Sequence, residues 1–115
     1  MELTGDAKKL LSLLYKKYLK KREEGIPKSQ ACVLGSSHTI HESLCPDWNF
    51  KDVVCACREL SHAHLLECHW GDNIPTRTSI TDDGLSYMEN RFKNIFLDTS
   101  GIFSKLIESI KLIPR

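Results

Sequence analysis

The chain has no apolar run approaching the roughly 20 residues that a membrane-spanning helix needs, so no such segment is expected in its 115 residues. Its opening, Met-Glu-Leu-Thr-Gly-Asp-Ala-Lys-Lys-Leu-Leu, puts acidic residues where a cleavable signal carries a basic region. A cytoplasmic protein that does not engage a membrane is the expectation. The sequence also lacks a Gly-rich phosphate loop, an H-E-x-x-H pair and a nucleophile elbow. A Cys-His pair such as Cys68 with His64 or His69 has nothing to orient it, and no enzyme is expected. Internal repeats, low-complexity tracts and long flexible linkers are missing too. What is present is ordinary globular composition, 41% hydrophobic and 27% charged, at a length that suits one core.

Five cysteines are present: Cys32, Cys45, Cys55, Cys57 and Cys68. An odd number without an export signal reads as free thiols in a reducing compartment. Cys55, Cys57, His62, His64, Cys68 and His69 crowd into fifteen residues, which invites a zinc site. The spacing argues against one. Tetrahedral zinc draws pairs such as C-x₂-C from a turn, whereas Cys55 and Cys57, two apart on a helix, point about 200° away from each other. Neither a metal nor another cofactor is expected. Cys57, Cys32 and Cys45 read as small core hydrophobes, and Cys55 and Cys68 as the thiols nearest the surface.

Net charge is +1, unevenly spread. Residues 1–25 hold seven Lys/Arg and four acids, residues 26–89 four and nine, and residues 90–115 five and two. Basic ends therefore flank an acidic middle.

Periodicity predicts a first helix over about 6–24, with Leu10, Leu11, Leu14 and Tyr18 on one face, Asp6 as cap and Gly25 as stop. Lys16, Lys17, Lys20, Lys21 and Arg22 form its other face, either simply solvated or a patch for a polyanion. A short helix follows, with Pro27 in its first turn and Gly35 as its stop. Ser37 can cap a further turn or two carrying Ile40 and Leu44, before Pro46. Asn49 caps a helix over about 50–62, where Phe50, Val53, Val54, Cys57 and Leu60 form the apolar stripe and Lys51, Asp52, Cys55, Arg58, Glu59 and His62 face elsewhere. Leu-Leu-Glu-Cys-His-Trp and Thr-Arg-Thr-Ser-Ile-Thr are strands joined by Gly71-Asp72-Asn73, residues that tolerate positive φ. Pro75 delays the second strand or marks an open edge. Thr81 caps a helix whose first turn holds Asp82 and Asp83 and whose apolar side carries Leu85, Met88, Phe92, Ile95 and Phe96. Ile102, Phe103, Leu106, Ile107, Ile110 and Ile113 form the stripe of an amphipathic tail helix.

Helix, short helices, helix, hairpin, helix is an α+β, mainly helical order. With "CRELSHAHLLE", "GDNIPTRTSIT" and "TDDGLSYMEN" in that sequence, the chain resembles the winged helix-turn-helix superfamily, in particular small bacterial and phage proteins of the YjcQ-like type. The match covers about residues 5–92. The stretch between Pro27 and Asp47 is long for a tight helix-turn-helix, and the tail after Phe96 is additional. The resemblance implies a three-helix core with a β-hairpin wing over residues 1–97 and a helical extension over 98–115.

It also implies double-stranded DNA as partner, with the helix at 50–62 in the major groove and the hairpin on backbone or minor groove. Lys51, Cys55, Arg58 and His62 would then face DNA, joined by Arg77 on the wing and by Lys28 and Ser29 at a helix start. A small transcriptional regulator is the expected role. The acidic middle opposes it, because duplex affinity comes largely from Lys and Arg neutralising phosphates. The alternative is an adaptor of the same fold that binds a protein partner and no DNA. The tail stripe either packs on its own domain or pairs two chains as a homodimer, which would match a two-fold operator. Light scattering of the full chain should then give a dimer mass, and of a chain ending at Leu97 a monomer mass; two equal monomer masses exclude pairing through the tail.

Overall fold

The computed structural model describes residues 2–93, with side chains described through Arg91. The tail residues Ile102, Phe103, Leu106, Ile107, Ile110 and Ile113, and the expected burial of Phe92, Ile95 and Phe96, lie outside the described residues. The architecture is α+β and mainly helical, with one small antiparallel sheet.

Helix α1, Gly5–Glu23, starts at Thr4 rather than Asp6. Thr4 Oγ1 accepts the Ala7 N–H at 3.3 Å, while Asp6 lies in the first turn, where its charge complements the positive helix end. Leu10, Leu11, Leu14, Tyr15, Tyr18 and Leu19 are buried. Gly25, at φ +90°, closes the helix: its N–H reaches Arg22 O and that of Ile26 reaches Lys21 O, the paired bonds of a Schellman turn.

Helix α2, Lys28–Ala31, is a single turn. The expectation that Val-Leu-Gly continues it is corrected here: Val33–Gly35 is a strand, β1, paired antiparallel with a strand far along the chain. Gly35, at φ +91°, then turns the chain into α3, Ser37–Leu44. Ser36, not Ser37, is the cap, its Oγ accepting the Thr39 N–H at 3.2 Å. Ser37 is instead buried, and its hydroxyl donates to Pro75 O at 3.0 Å.

Helix α4, Phe50–His62, has the expected bounds and the expected Asn49 cap, which accepts the Lys51 N–H at 2.9 Å. Val53, Val54, Ala56, Cys57 and Leu60 are buried against α1 and α3. Phe50 is only half-buried, because its ring stacks on His38 at 4.4 Å and meets His41 edge-on. The hairpin follows as β2, Leu66–Gly71, and β3, Ile74–Ile80. Asp72 and Asn73 adopt φ +54° and +66°, the two positive values a two-residue type I′ turn demands. Pro75 lies within β3 beside a register shift, where a missing N–H is tolerated. β3 is the central strand in the order β1-β3-β2, so the sheet has three strands where the sequence showed two. Finally α5, Asp82–Lys93, buries Leu85 and Met88. Among the described residues no helix is long and apolar enough to cross a membrane.

Two turns decide how the hairpin meets the helices. At the end of α4, His64 takes φ +62°, its N–H bonding Ser61 O while Leu65 N–H bonds Leu60 O. This is a second Schellman closure with histidine where glycine is usual. Thr81 then donates through Oγ1 to His64 O at 2.7 Å, and its N–H bonds Leu65 O at 3.2 Å. Thr81 Oγ1 also accepts the Gly84 N–H at 2.9 Å, capping α5. Gly84 is required by space: a methyl group there would overlap the Leu65 carbonyl oxygen and crowd Ile80.

These two sites should respond with opposite signs. His64→Gly removes a left-handed L-residue and should stabilise by about 1 kcal/mol. Gly84→Ala ordinarily favours a helix, but here should destabilise by about 1–3 kcal/mol through backbone overlap. Urea midpoints of the two variants check both; an unchanged or raised midpoint for Gly84→Ala refutes the packing described.

Candidate functional site

Lys51, Cys55, Arg58 and His62 recur on α4 at steps of four, three and four, which keeps them within an arc of about 60°. All four are exposed. The two acids of the helix, Asp52 and Glu59, fall about 80–100° to one side by the same geometry. Glu59 is moreover engaged elsewhere. Its carboxylate accepts the Thr4 N–H and the Thr4 hydroxyl, each at 2.7 Å. It thus sits at the positive start of α1 and ties α4 to that helix. The face presented by Lys51, Arg58 and His62 is accordingly less acidic than the count of two bases and two acids suggests.

Arg58 is held rather than free. Its guanidinium carbon lies 5.0 Å from the centroid of the Trp70 ring, a cation–π distance. Its Nη2 donates to Asn73 O, at the hairpin turn, at 3.4 Å. Trp70 remains 41% exposed, the exposed large hydrophobic residue of the described surface. One arginine therefore bridges α4, the ring of β2 and the hairpin turn, and presents its remaining N–H groups outward.

The other expected site residues are arranged differently. Arg77 is exposed on β3 and pairs in register with His69, whose imidazole lies 3.7 Å from Glu67. Strand alternation puts Glu67, His69 and Arg77 on the sheet face opposite Cys68 and Thr78, which point inward. Arg77 thus belongs to the outer side of the hairpin and not to the α4 face. Lys28 pairs with Asp82 at 2.9 Å, on the first turn of α5. The hydrogen bond and charge of Asp82 raise its pKa above the ordinary lysine value. Ser29 is exposed on α2, and its carbonyl accepts from Cys32 Sγ at 3.6 Å. The structure therefore brings together four of the seven expected DNA-facing residues. Trp70 and Asn73 join them, although periodicity singled out neither. A tryptophan beside a turn, alternating with Cys68 on a strand, was the available signal.

Cys55 is exposed and Cys57 buried, as the helix pattern indicated, and Cys45 is buried, as expected of a small core hydrophobe. Cys32 and Cys68 are half-buried, so neither is as deep or as open as expected. Cys68 packs inward against α4, its Sγ 4.0 Å from Cys57 O. Burial pushes the Cys57 thiol up to about 12, and nearby Cys68 and Cys45 add to it. Burial likewise raises Cys68 to about 11, opposed by a hydrogen bond with Ser61. Both stay protonated and unreactive near neutrality. Among the described residues no group of three His, Cys, Asp or Glu side chains is placed to hold a metal ion.

The shifts carry a pH dependence. Above the ordinary thiol value of 9.0 the unfolded chain loses these protons while the folded chain keeps them. Stability is then whole below pH 9 and falls as pH rises toward about 11 and 12. Urea midpoints across that range should decline, and Cys57→Ala should flatten the decline while lowering stability at neutral pH; an alkaline slope identical in wild type and variant contradicts the assignment. No family model, no curated protein and no solved structure matches the chain.

Proposed function

We propose that the protein is a winged-helix DNA-binding protein, a small cytoplasmic transcriptional regulator of bacterial or phage type that works as a homodimer rather than as an enzyme. The order helix, single-turn helix, strand, helix, helix, hairpin, helix, with the first strand on the far edge of the hairpin's second strand, supports the fold assignment. One observation carries the functional reading. The exposed stripe Lys51, Cys55, Arg58 and His62 lies beside a hairpin to which Arg58 is fastened through Trp70 and Asn73.

In this reading α4 enters the major groove. Arg58, its orientation limited by the indole and by Asn73 O, offers free N–H groups to a guanine edge. Lys51, near the start of α4, contacts phosphate, and Arg77 on the outer hairpin face meets backbone on the flank. The engagement of Glu59 by Thr4 reduces the repulsion that the acidic middle would otherwise impose. Two copies double the phosphate contacts that one copy offers in small number.

A protein-binding adaptor is the second reading, favoured by the exposure of Trp70, a residue type that anchors protein interfaces. Gel shifts of the full chain on a random-sequence duplex pool, followed by enrichment, separate the two. Binding should weaken steeply with salt, log K falling linearly with log salt. Arg58→Ala should cost about 1–3 kcal/mol at one base position, whereas Lys51→Ala should weaken all sequences alike and flatten the salt slope. Absence of binding at low salt removes the DNA reading.

A further inference from the structure

Helix α1 shows the core only one of its faces. Leu13, Lys16, Lys17 and Lys20 follow one another at helical spacing along another face, and the last turn of α3 faces them with Ser43 and Leu44. Between the two helices is a depression of about 260 Å³ lined by these six residues. Leu13 and Leu44 are half-buried and packed on the core, so they give it an apolar floor. The three lysines form its rim, and none of the six residues is acidic. Ser43 donates its hydroxyl to Thr39 O at 2.6 Å, which leaves it lone pairs but no proton for a ligand. The ammonium groups of Lys17 and Lys20 are therefore donors available to whatever occupies the depression.

We infer that this depression is a binding site for a small molecule that joins a doubly charged anion, such as a phosphomonoester, to a short apolar or aromatic body. The physical reasons are the pairing of charge with floor. Lys17 and Lys20, one turn apart, repel one another, and an anion reaching both relieves that repulsion while making charge-assisted hydrogen bonds. An apolar floor strengthens such contacts by excluding water on one side. The volume is below the range of drug-sized ligands, about 300–1,000 Å³, which selects a compact one. The site uses none of the residues assigned to DNA, so it stands or falls independently of that reading.

The competing account is that the lysines only complement the negative end of α3. That account gives a stability loss on lysine neutralisation and no ligand. Titration calorimetry of the full chain with phenyl phosphate, inorganic phosphate and benzyl alcohol distinguishes them. Phenyl phosphate should bind about tenfold or more tightly than inorganic phosphate, and benzyl alcohol should give no measurable heat. The double variant Lys17→Gln with Lys20→Gln, with its fold checked by circular dichroism, should lose about tenfold in affinity for phenyl phosphate. A single variant, Lys20→Gln, serves if the double variant does not fold. No saturation by about 1 mM phenyl phosphate, equal affinities for the two phosphates, or unchanged affinity in a folded lysine variant each overturns the site.

Discussion

The Leu65 carbonyl is the point on which the geometry turns. It accepts the Thr81 N–H, so the chain entering β2 and the chain leaving β3 are bonded to each other at the foot of α4. The bond forms there because His64 tolerates a left-handed backbone and reverses the chain in one residue after the helix ends. It is protected because Gly84 carries no Cβ, which lets the first turn of α5 press against that same carbonyl. Leu60, Leu65, Leu66 and Ile80 pack into the core around it. A buried backbone oxygen without its donor is costly, so the junction admits little adjustment.

From that junction the placement of the exposed chemistry follows. The hairpin leaves the foot of α4 and folds back beside it, bringing the Trp70 ring and the Asn73 carbonyl to Arg58. At the other side of the helix Glu59 reaches the first residues of α1. α4 is thereby braced from two directions by its own charged residues, one cation and one anion, and the stripe between them is left to solvent. Charge counted along the sequence describes an acidic middle; charge located on the surface is partly consumed in these braces and in the Lys28–Asp82 pair.

The parts legible in the sequence were those with local causes. The bounds of α4 followed from Asn49 and a clean apolar stripe. The hairpin turn followed from Gly71-Asp72-Asn73, of which the last two residues make it and Gly71 ends β2, and the α5 cap followed from Thr81. Where reading failed, the cause was non-local. Val33–Gly35 is too short to declare itself a strand and becomes one only because β3, more than forty residues on, offers a free edge, with Thr78 Oγ1 bonding Gly35 O at 2.8 Å across a separation of 43. Thr4 displaced Asp6 as cap because its hydroxyl serves Ala7 and Glu59 together, and Glu59 is 55 residues away. The thiols show the same division: Cys55 and Cys57 were separable by helical phase, whereas the depth of Cys68 depends on α4 lying under its strand.

By itself the sequence determined the helices α1, α4 and α5, the reversal of the hairpin and which residues of α4 avoid the core, because caps, positive-φ turns and a 3.6-residue period act over a few neighbours. Only the tertiary structure decided that Arg58 meets Trp70, that Arg77 lies on the other face of its strand, and that three lysines of α1 border a depression closed by α3. Those placements depend on how elements pack, and packing joins residues whose separation in the chain leaves no periodic trace.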